Sequence, residues 1–317
     1  MLHAFDTLME PHIAGLPQNR GDKEIKFTYL KPRHIQSMMV EEGNIVSVFC
    51  VKQMIAFRDF RKRKALKMNT LIEVKGRDEQ FKKINAYKAE FIQKGLPILS
   101  IDTKKKEMLG DFQRQGQFYS TGTVKVNDHD FKSFSSGQLV PHGIYDVTDN
   151  TGYMTLGTDH DTSAFVCDNI RSFWYSHLQF KHPDAHTMLL LCDGGGSNSC
   201  LHYCFKKDLC ELAKQLSINI LVAHYPAYCS KYNPIEHRLF SQISHTWNGV
   251  ILKDVQAIKE LTLRTTTKTG LKVCVNINKK IYQINRPLDQ NFKNNINQFI
   301  TFDDICPKWN YLVKAPN

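Results

Sequence analysis

The spacing of apolar residues changes character near Pro97. Before it, apolar positions recur every three or four residues, as on one face of a helix. Residues 34–42 read as a helix, Gly43-Asn44 breaks it, and Ser47 can cap a second helix to about Phe57. Helix, short Gly-containing turn and helix form a helix-turn-helix pattern, which any helical hairpin shares. Phe81, Ile84, Tyr87 or Lys88, and Phe91 predict a third helix over 77–94, ended by Gly95 and Pro97. Residues 1–33 carry Pro11, Pro17 and Pro32 with little periodicity, and read as an extended arm.

After Pro97 the rhythm is that of strands. Ile98-Leu99-Ser100-Ile101 is a short apolar run closed by Asp102, the pattern of a buried strand ending in a carboxylate. Residues 104–141 are polar, Gly-punctuated and irregular. Residues 142–147 and 153–156 flank Asp149-Asn150-Thr151-Gly152, a hairpin signal. Asp161, Thr162 or Ser163 can cap a helix to about Leu178, with Asp161 read as the cap. Strands are expected at 187–192, ending at Asp193, and at 218–223. Helices are expected near 200–216 and from Asn233 towards Trp247. Hairpin strands followed by alternating helices and strands predict an α/β domain with a mixed sheet.

The length of 317 residues allows about two domains, and 42% hydrophobic residues can fill a core. No apolar run approaches the roughly 18 residues that span a bilayer, and the N-terminus lacks a secretory pattern. Nine scattered cysteines without Cys-x-x-Cys argue for a reducing cytoplasm. The net charge of +11 is uneven: residues 52–94 hold 13 Lys and Arg against five acids, a difference of +8. Charge runs are commonly solvated helix faces, but here aromatics interleave with the densest stretch. Arg58, Arg61, Lys62, Arg63, Lys64 and Lys67 are therefore expected to contact the phosphates of a nucleic acid.

In open α/β sheets, ligands sit at the carboxyl ends of the strands. Asp102 and Asp193 both end apolar strands, so neighbouring parallel strands would bring the two carboxylates together. Such carboxylates repel unless a cation lies between them, and oxygen ligands favour Mg²⁺ or Mn²⁺. Taken singly, Asp193 reads as a helix cap or turn residue and Asp102 as a solvated strand end. Glu236, in the first turn of the helix after Asn233-Pro234, can serve the helix dipole or supply a third carboxylate to a two-metal site. Gly194-Gly195-Gly196 lacks the endings of nucleotide-binding loops. His224 and His237 flank this region, as supports for metal ligands or as plain core and cap residues. Cys200, His202, Cys204 and Cys210 fall on one expected helix and read as buried thiols rather than a zinc site.

Five stretches resemble one family: Ser100-Ile101-Asp102-Thr103-Lys104-Lys105-Lys106-Glu107, Asp128-His129-Asp130-Phe131, Gly143-Ile144-Tyr145-Asp146, Asp193-Gly194-Gly195-Gly196-Ser197-Asn198, and the run from Ser230 through Asn233-Pro234-Ile235-Glu236-His237 to Ser241. They are similar to the Rhodopirellula-type DDE transposases of bacterial insertion sequences, relatives of the mariner-like group. The likeness continues through Arg77 to Phe81, Thr265 to Leu271 and Trp309-Asn310-Tyr311. It implies a ribonuclease-H-like mixed sheet with flanking helices over 97–262, behind a partial helix-turn-helix-like DNA-binding region at 1–96 and before a C-terminal extension at 263–317. It implies an acidic triad of Asp102, Asp193 and Glu236 holding two Mg²⁺ or Mn²⁺ ions. Lys104, Lys105 and Lys231, near that triad in sequence, are expected to join the DNA contacts. The implied partner is double-stranded DNA, bound by a homodimer in a synaptic complex, with a cytoplasmic, nucleoid-associated location and no membrane.

This chain departs from the pattern in three ways. It begins partway through the expected DNA-binding region, Ala227-Tyr228 stands in place of Pro-Gly, and Gly15-Leu16-Pro17 in place of Gly-Asp-Pro. Two other readings stay open: a shortened, transposition-inactive DNA-binding remnant, and a general metal-dependent nuclease.

Overall fold

Phe5, Leu8 and Met9 lie three and four residues apart and are all buried, which makes Leu2–Met9 a helix, α1, and not an extended arm. The structure is a computed structural model that describes residues 1–15, 25–63, 74–195, 198–287 and 289–316. The chain divides into two compact units, Met1–Asn69 and Thr70–Asn317.

In the first unit, α1 is followed by a two-residue pairing of β1 (Ala14–Gly15) with β2 (Lys26–Phe27). Pro32, read above as part of an arm, instead opens α2 (Pro32–Glu41), where its missing N–H costs nothing. Helix α3 (Val48–Phe57) starts at Ser47, whose hydroxyl accepts the Cys50 N–H at 3.2 Å. Ile35 and Met39 of α2 and Val51 and Met54 of α3 share one small core with the buried face of α1.

The second unit is built on a nine-stranded sheet. Its strands are β3 (Ile98–Thr103), β4 (Glu107–Leu109), β5 (Gly137–Asp146), β6 (Thr151–Gly157), β7 (Thr187–Cys192), β8 (Asn219–His224), β9 (Lys272–Asn278), β10 (Ile300–Phe302) and β11 (Asn310–Val313). The order is β10-β11-β8-β7-β3-β5-β6-β9, with β4 added on β5. The middle five, β6-β5-β3-β7-β8, run antiparallel through the hairpins and parallel from β3 to β8. That order and polarity are those of a ribonuclease-H-like sheet. Residues 104–141 are thus not wholly irregular, since β4 forms within them and β5 begins at Gly137. Residues beyond 263 contribute β9, β10 and β11 to the same sheet, and do not stand apart from it.

Both faces are covered, which explains why β3 and β7 are apolar almost throughout. Leu99 and Ile101 of β3 and Met188 and Leu190 of β7 meet α5 (Ser163–Phe173) and α7 (Tyr203–Leu216). A π-helical turn, Trp174–Leu178, carries α5 into the short α6 (Gln179–Lys181). The alternate residues Ile98, Leu189 and Leu191 meet Ile84 and Phe91 of α4 (Arg77–Gln93) on the opposite face. Helix α4 therefore packs as part of the sheet unit, although its sequence position suggested the region ending at 96. On that same side, α8 (Ser241–Thr246) and α9 (Val255–Leu263) cover β5 and β6. A last short helix, α10 (Gln290–Asn294), precedes β10. Helix α7 begins at Tyr203, so Cys200 and His202 precede it and do not share its face with Cys204. Thr162, not Asp161, caps α5 by accepting the Phe165 N–H at 3.2 Å. No described helix is long and apolar enough to cross a membrane.

One ionic cluster ties α4 to the loop between β10 and β11. Asp303 accepts from Lys83 at 2.6 Å, from the Tyr87 hydroxyl at 3.0 Å, and from the N–H groups of Ile305 and Cys306. Burial alone would raise its pKa, but Lys83 and these donors hold it at about 2. A carboxylate depressed in the folded state stabilises above its unfolded pKa and loses that contribution as pH falls through the folded value. Asp303→Asn should therefore cost about 2 kcal/mol at pH 7 and flatten the acid limb of stability between about pH 4 and 2. Denaturant unfolding across that pH range checks both effects, and an unchanged acid limb would contradict them.

Candidate active site

Strands β3 and β7 run parallel with Ile101 opposite Cys192. The next residue along the chain is in each case an aspartate, so Asp102, near the end of β3, and Asp193, just past the end of β7, come side by side at the carboxyl edge of the sheet. Asp102 is half-buried, and its pKa is pushed up to about 8. Burial is the largest cause, followed by the charge of Asp193; the charge of Glu236 and a hydrogen bond with it add to the rise. The Thr103 N–H, donating to Asp102 Oδ1 at 2.7 Å, opposes it. Asp193 is also raised, first by burial and then by the charges of Glu236 and Asp161, against the N–H of Gly195.

Glu236 reaches this edge from another element. It opens a π-helical turn, Glu236–Phe240, that runs straight into α8. Such single wide turns are frequent at functional sites. The turn lies close on the sheet because two strand residues have no side chain. A Cβ on Gly143, the ladder partner of Asp102, would stand 2.4 Å from the Phe240 ring and 2.9 Å from Ile235. A Cβ on Gly152 would stand 2.4 Å from Leu239. Ile235, Leu239 and Phe240 fill that trough and are fully or nearly fully buried.

Asp102, Asp193 and Glu236 thus act electrostatically on one another at this edge, and Asp161 adds its charge to Asp193. Among the described residues, no three His, Cys, Asp or Glu side chains close into a metal-holding group. Asp102 and Asp193 turn instead to the N–H groups of Thr103 and Gly195. All-oxygen donors whose mutual repulsion raises Asp102 and Asp193 suit a hard divalent cation.

The surroundings differ from expectation in several places. His224 is wholly buried, and its Nδ1 donates to the Asp193 carbonyl at 2.9 Å. The Tyr311 hydroxyl then donates to Nε2 at 3.3 Å, and burial lowers the ring's pKa to about 4, so it stays neutral. His237 does not reach the carboxylates; it is exposed and bonds the Lys231 carbonyl. Asp161 is not a cap: its Oδ1 accepts from the Thr103 hydroxyl at 3.1 Å, beside Asp102. His142, opposite Thr103 in the ladder, was not anticipated. It is fully buried with neither ring nitrogen hydrogen-bonded, and burial lowers its pKa to about 4 against the charge of Asp161. The one available signal was a histidine in an apolar strand. Ser100 and Asn233 were also missed as partners; the clue was a serine inside the apolar run of β3.

The expected phosphate contacts divide. Lys105, Lys231 and Arg238, close in sequence to Asp102 or Glu236, are exposed. Lys104 is not a free surface charge. Its ammonium lies 5.1 Å from the centre of the Trp247 ring and 3.5 Å from Glu107, and burial lowers its pKa. In the first unit, Arg58 is already engaged by Asp6, and Arg61 donates to the Ala56 carbonyl at 2.9 Å. Lys62 and Arg63 are exposed, while Lys64 and Lys67 lie outside the described residues. Of the cysteines, Cys200 is buried with Cys306 and Trp309, and Cys204 bonds the Arg286 carbonyl.

Sequence comparison with curated proteins returns no match. Among solved structures, the Mos1 mariner paired-end complex with Mn is 14% identical, with a TM-score of 0.44 over 77% of this chain and 72% of that one. The Mos1 paired-end complex with Mg is 12% identical, with a TM-score of 0.44 over 77% and 73%. The family described as Rhodopirellula transposase DDE domain matches residues 4–315, nearly the whole sequence, and this chain belongs to that family.

Proposed function

We propose that the protein cuts DNA at the ends of an insertion sequence and joins the freed ends to target DNA, using Asp102, Asp193 and Glu236. The observation that carries this reading is the adjacency of Asp102 and Asp193 at the ends of parallel strands, with Glu236 hydrogen-bonded to Asp102 and Asp102 raised by burial and the neighbouring charges. Three carboxylates that repel one another at a strand edge have a use if they hold divalent cations against a phosphodiester. Mg²⁺ or Mn²⁺, two ions when bound, would supply Lewis-acid activation of the nucleophile and charge stabilisation at the leaving 3′ oxygen.

The chain's own part is positioning. Asp102, Asp193 and Glu236 would together hold the cations, since each carboxylate acts electrostatically on the other two. The His224 bond to the Asp193 carbonyl steadies that strand end. Exposed Lys105, Lys231 and Arg238 offer phosphate contacts around the reacting bond. Water is the nucleophile in cleavage and the freed 3′-hydroxyl in joining, so no covalent protein intermediate is required. Two element ends joined in one event call for two such sites, which a homodimer would provide.

Glu236→Gln keeps size and helix propensity but removes the charge. Cleavage of an end-containing duplex should fall at least ~10³-fold while the fold and DNA affinity persist. A residue serving only the helix dipole would leave cleavage intact, so near-normal rates would sink the assignment. Cutting without any joined product would point to a general nuclease, and binding without cutting to an inactive remnant.

Arg61, Lys62 and Arg63 are expected to lie along DNA phosphates. Replacing all three with Gln should weaken binding to every sequence. The slope of log affinity against log salt should shrink by about 0.9 for each phosphate no longer neutralised. An unchanged slope in a binding titration would remove this segment from the interface.

A further inference from the structure

Asp102 and Asp193 are held together by a hydrogen-bonded ladder, but Glu236 has no such tie. The apolar trough under its turn sets how closely the turn approaches the sheet. Apolar packing is non-directional, so it does not by itself fix where along β3 the turn sits. A separate polar device does that.

Asn233, three residues before Glu236, is wholly buried. Its side-chain amide donates to the Ile101 carbonyl at 3.2 Å, and its Oδ1 accepts the Ser100 hydroxyl proton. Ser100 is also wholly buried, and its oxygen accepts the Ile235 N–H at 3.0 Å. The Glu236 N–H in turn donates to the Asn233 carbonyl at 3.1 Å. The result is a closed set of bonds between the two strand residues immediately before Asp102 and the backbone immediately before and at Glu236. A buried serine or asparagine is costly unless its polar atoms are bonded, so this pairing disfavours a slip of the turn along the strand.

We infer that Asn233 is a positioning residue, with Ser100 as its partner, that sets Glu236 in register with Asp102 and so determines how well the three carboxylates take up a divalent cation. This rests on the role proposed above for Glu236. Neither residue touches the reacting atoms. Their effect passes through the placement of a ligand, as with the outer partners of metal ligands generally.

The test uses the full chain and four variants: Ser100→Ala, Asn233→Ala, the double variant, and Glu236→Gln as a reference. Three quantities are read: Mn²⁺ bound by DNA-free protein, from the electron paramagnetic resonance of the remaining free ion; kcat and KM for cleavage of an end-containing duplex; and the melting temperature. Each single variant should weaken Mn²⁺ binding and lower kcat by about 10-fold to 100-fold, with KM for DNA unchanged. The double variant should be no worse than the poorer single one, because both remove the same set of bonds. A merely structural role would lower the melting temperature and leave Mn²⁺ affinity alone. Folded variants with wild-type Mn²⁺ affinity would therefore overturn the inference. If Asn233→Ala does not fold, Ser100→Ala, which removes one hydroxyl, decides alone. Failure of both to fold would also overturn it, by making the pair a folding determinant. The reference variant keeps the two ideas apart. If Glu236→Gln loses Mn²⁺ and the other variants do not, only this inference falls. If Glu236→Gln keeps both Mn²⁺ affinity and cleavage, the role of Glu236 itself falls.

Discussion

Repulsion between half-buried like charges governs this molecule's sheet edge. The parallel pairing of β3 with β7 leaves Asp102 and Asp193 adjacent, and the turn after Asn233 adds Glu236. Burial and the neighbouring charges push Asp102 up to about 8. An arrangement that costs folding free energy in this way stands only if the surrounding structure over-determines it. Most of what is unusual nearby serves that end.

The supports come from three directions. From one face, Gly143 and Gly152 leave room for Ile235, Leu239 and Phe240, so that a turn carrying a charge can lie against apolar strands. From within the sheet, Ser100 and Ile101 offer polar atoms to Asn233, which substitute for the ladder that Glu236 lacks. From the far side, β11 pairs with β8 and brings Tyr311 to His224, which holds the Asp193 carbonyl. Gln80 of α4 bonds the His224 carbonyl and Asn310 at the start of β11. The C-terminal strand and the first helix of the sheet unit are thereby wired to the carboxylate edge, which accounts for both belonging to one compact unit.

Not every charged group follows this logic. Lys104 follows the proposed ligand by two residues, yet it lies over Trp247 and beside Glu107. A half-buried lysine with lowered pKa is poorly suited to capturing phosphate from solution, and the exposed Lys105 beside it is the better donor. His142 is buried among apolar neighbours with both nitrogens unbonded, next to Thr103 and Asp161.

The strands that end in Asp102 and Asp193 were legible in the sequence because their signal is local: apolar runs closed by an acid. Ser47 as a cap and the hairpin at 149–152 were legible for the same reason, since each depends on neighbours a few residues away. Glu236 stood out only as part of a longer motif, because one acid in a first helical turn has an ordinary explanation. The prolines masked α1 and the start of α2, although Pro11 lies beyond α1 and Pro32 stands in the first turn of α2, where it opposes nothing. What only the tertiary structure decided was which distant residues meet. Gly143 beneath Phe240, Asn233 on Ser100, Asp161 on Thr103 and Tyr311 on His224 join segments separated by tens of residues or more. Pattern along a chain reports what a residue prefers near itself. Contacts of that kind depend on strand order and packing depth, which no local preference encodes.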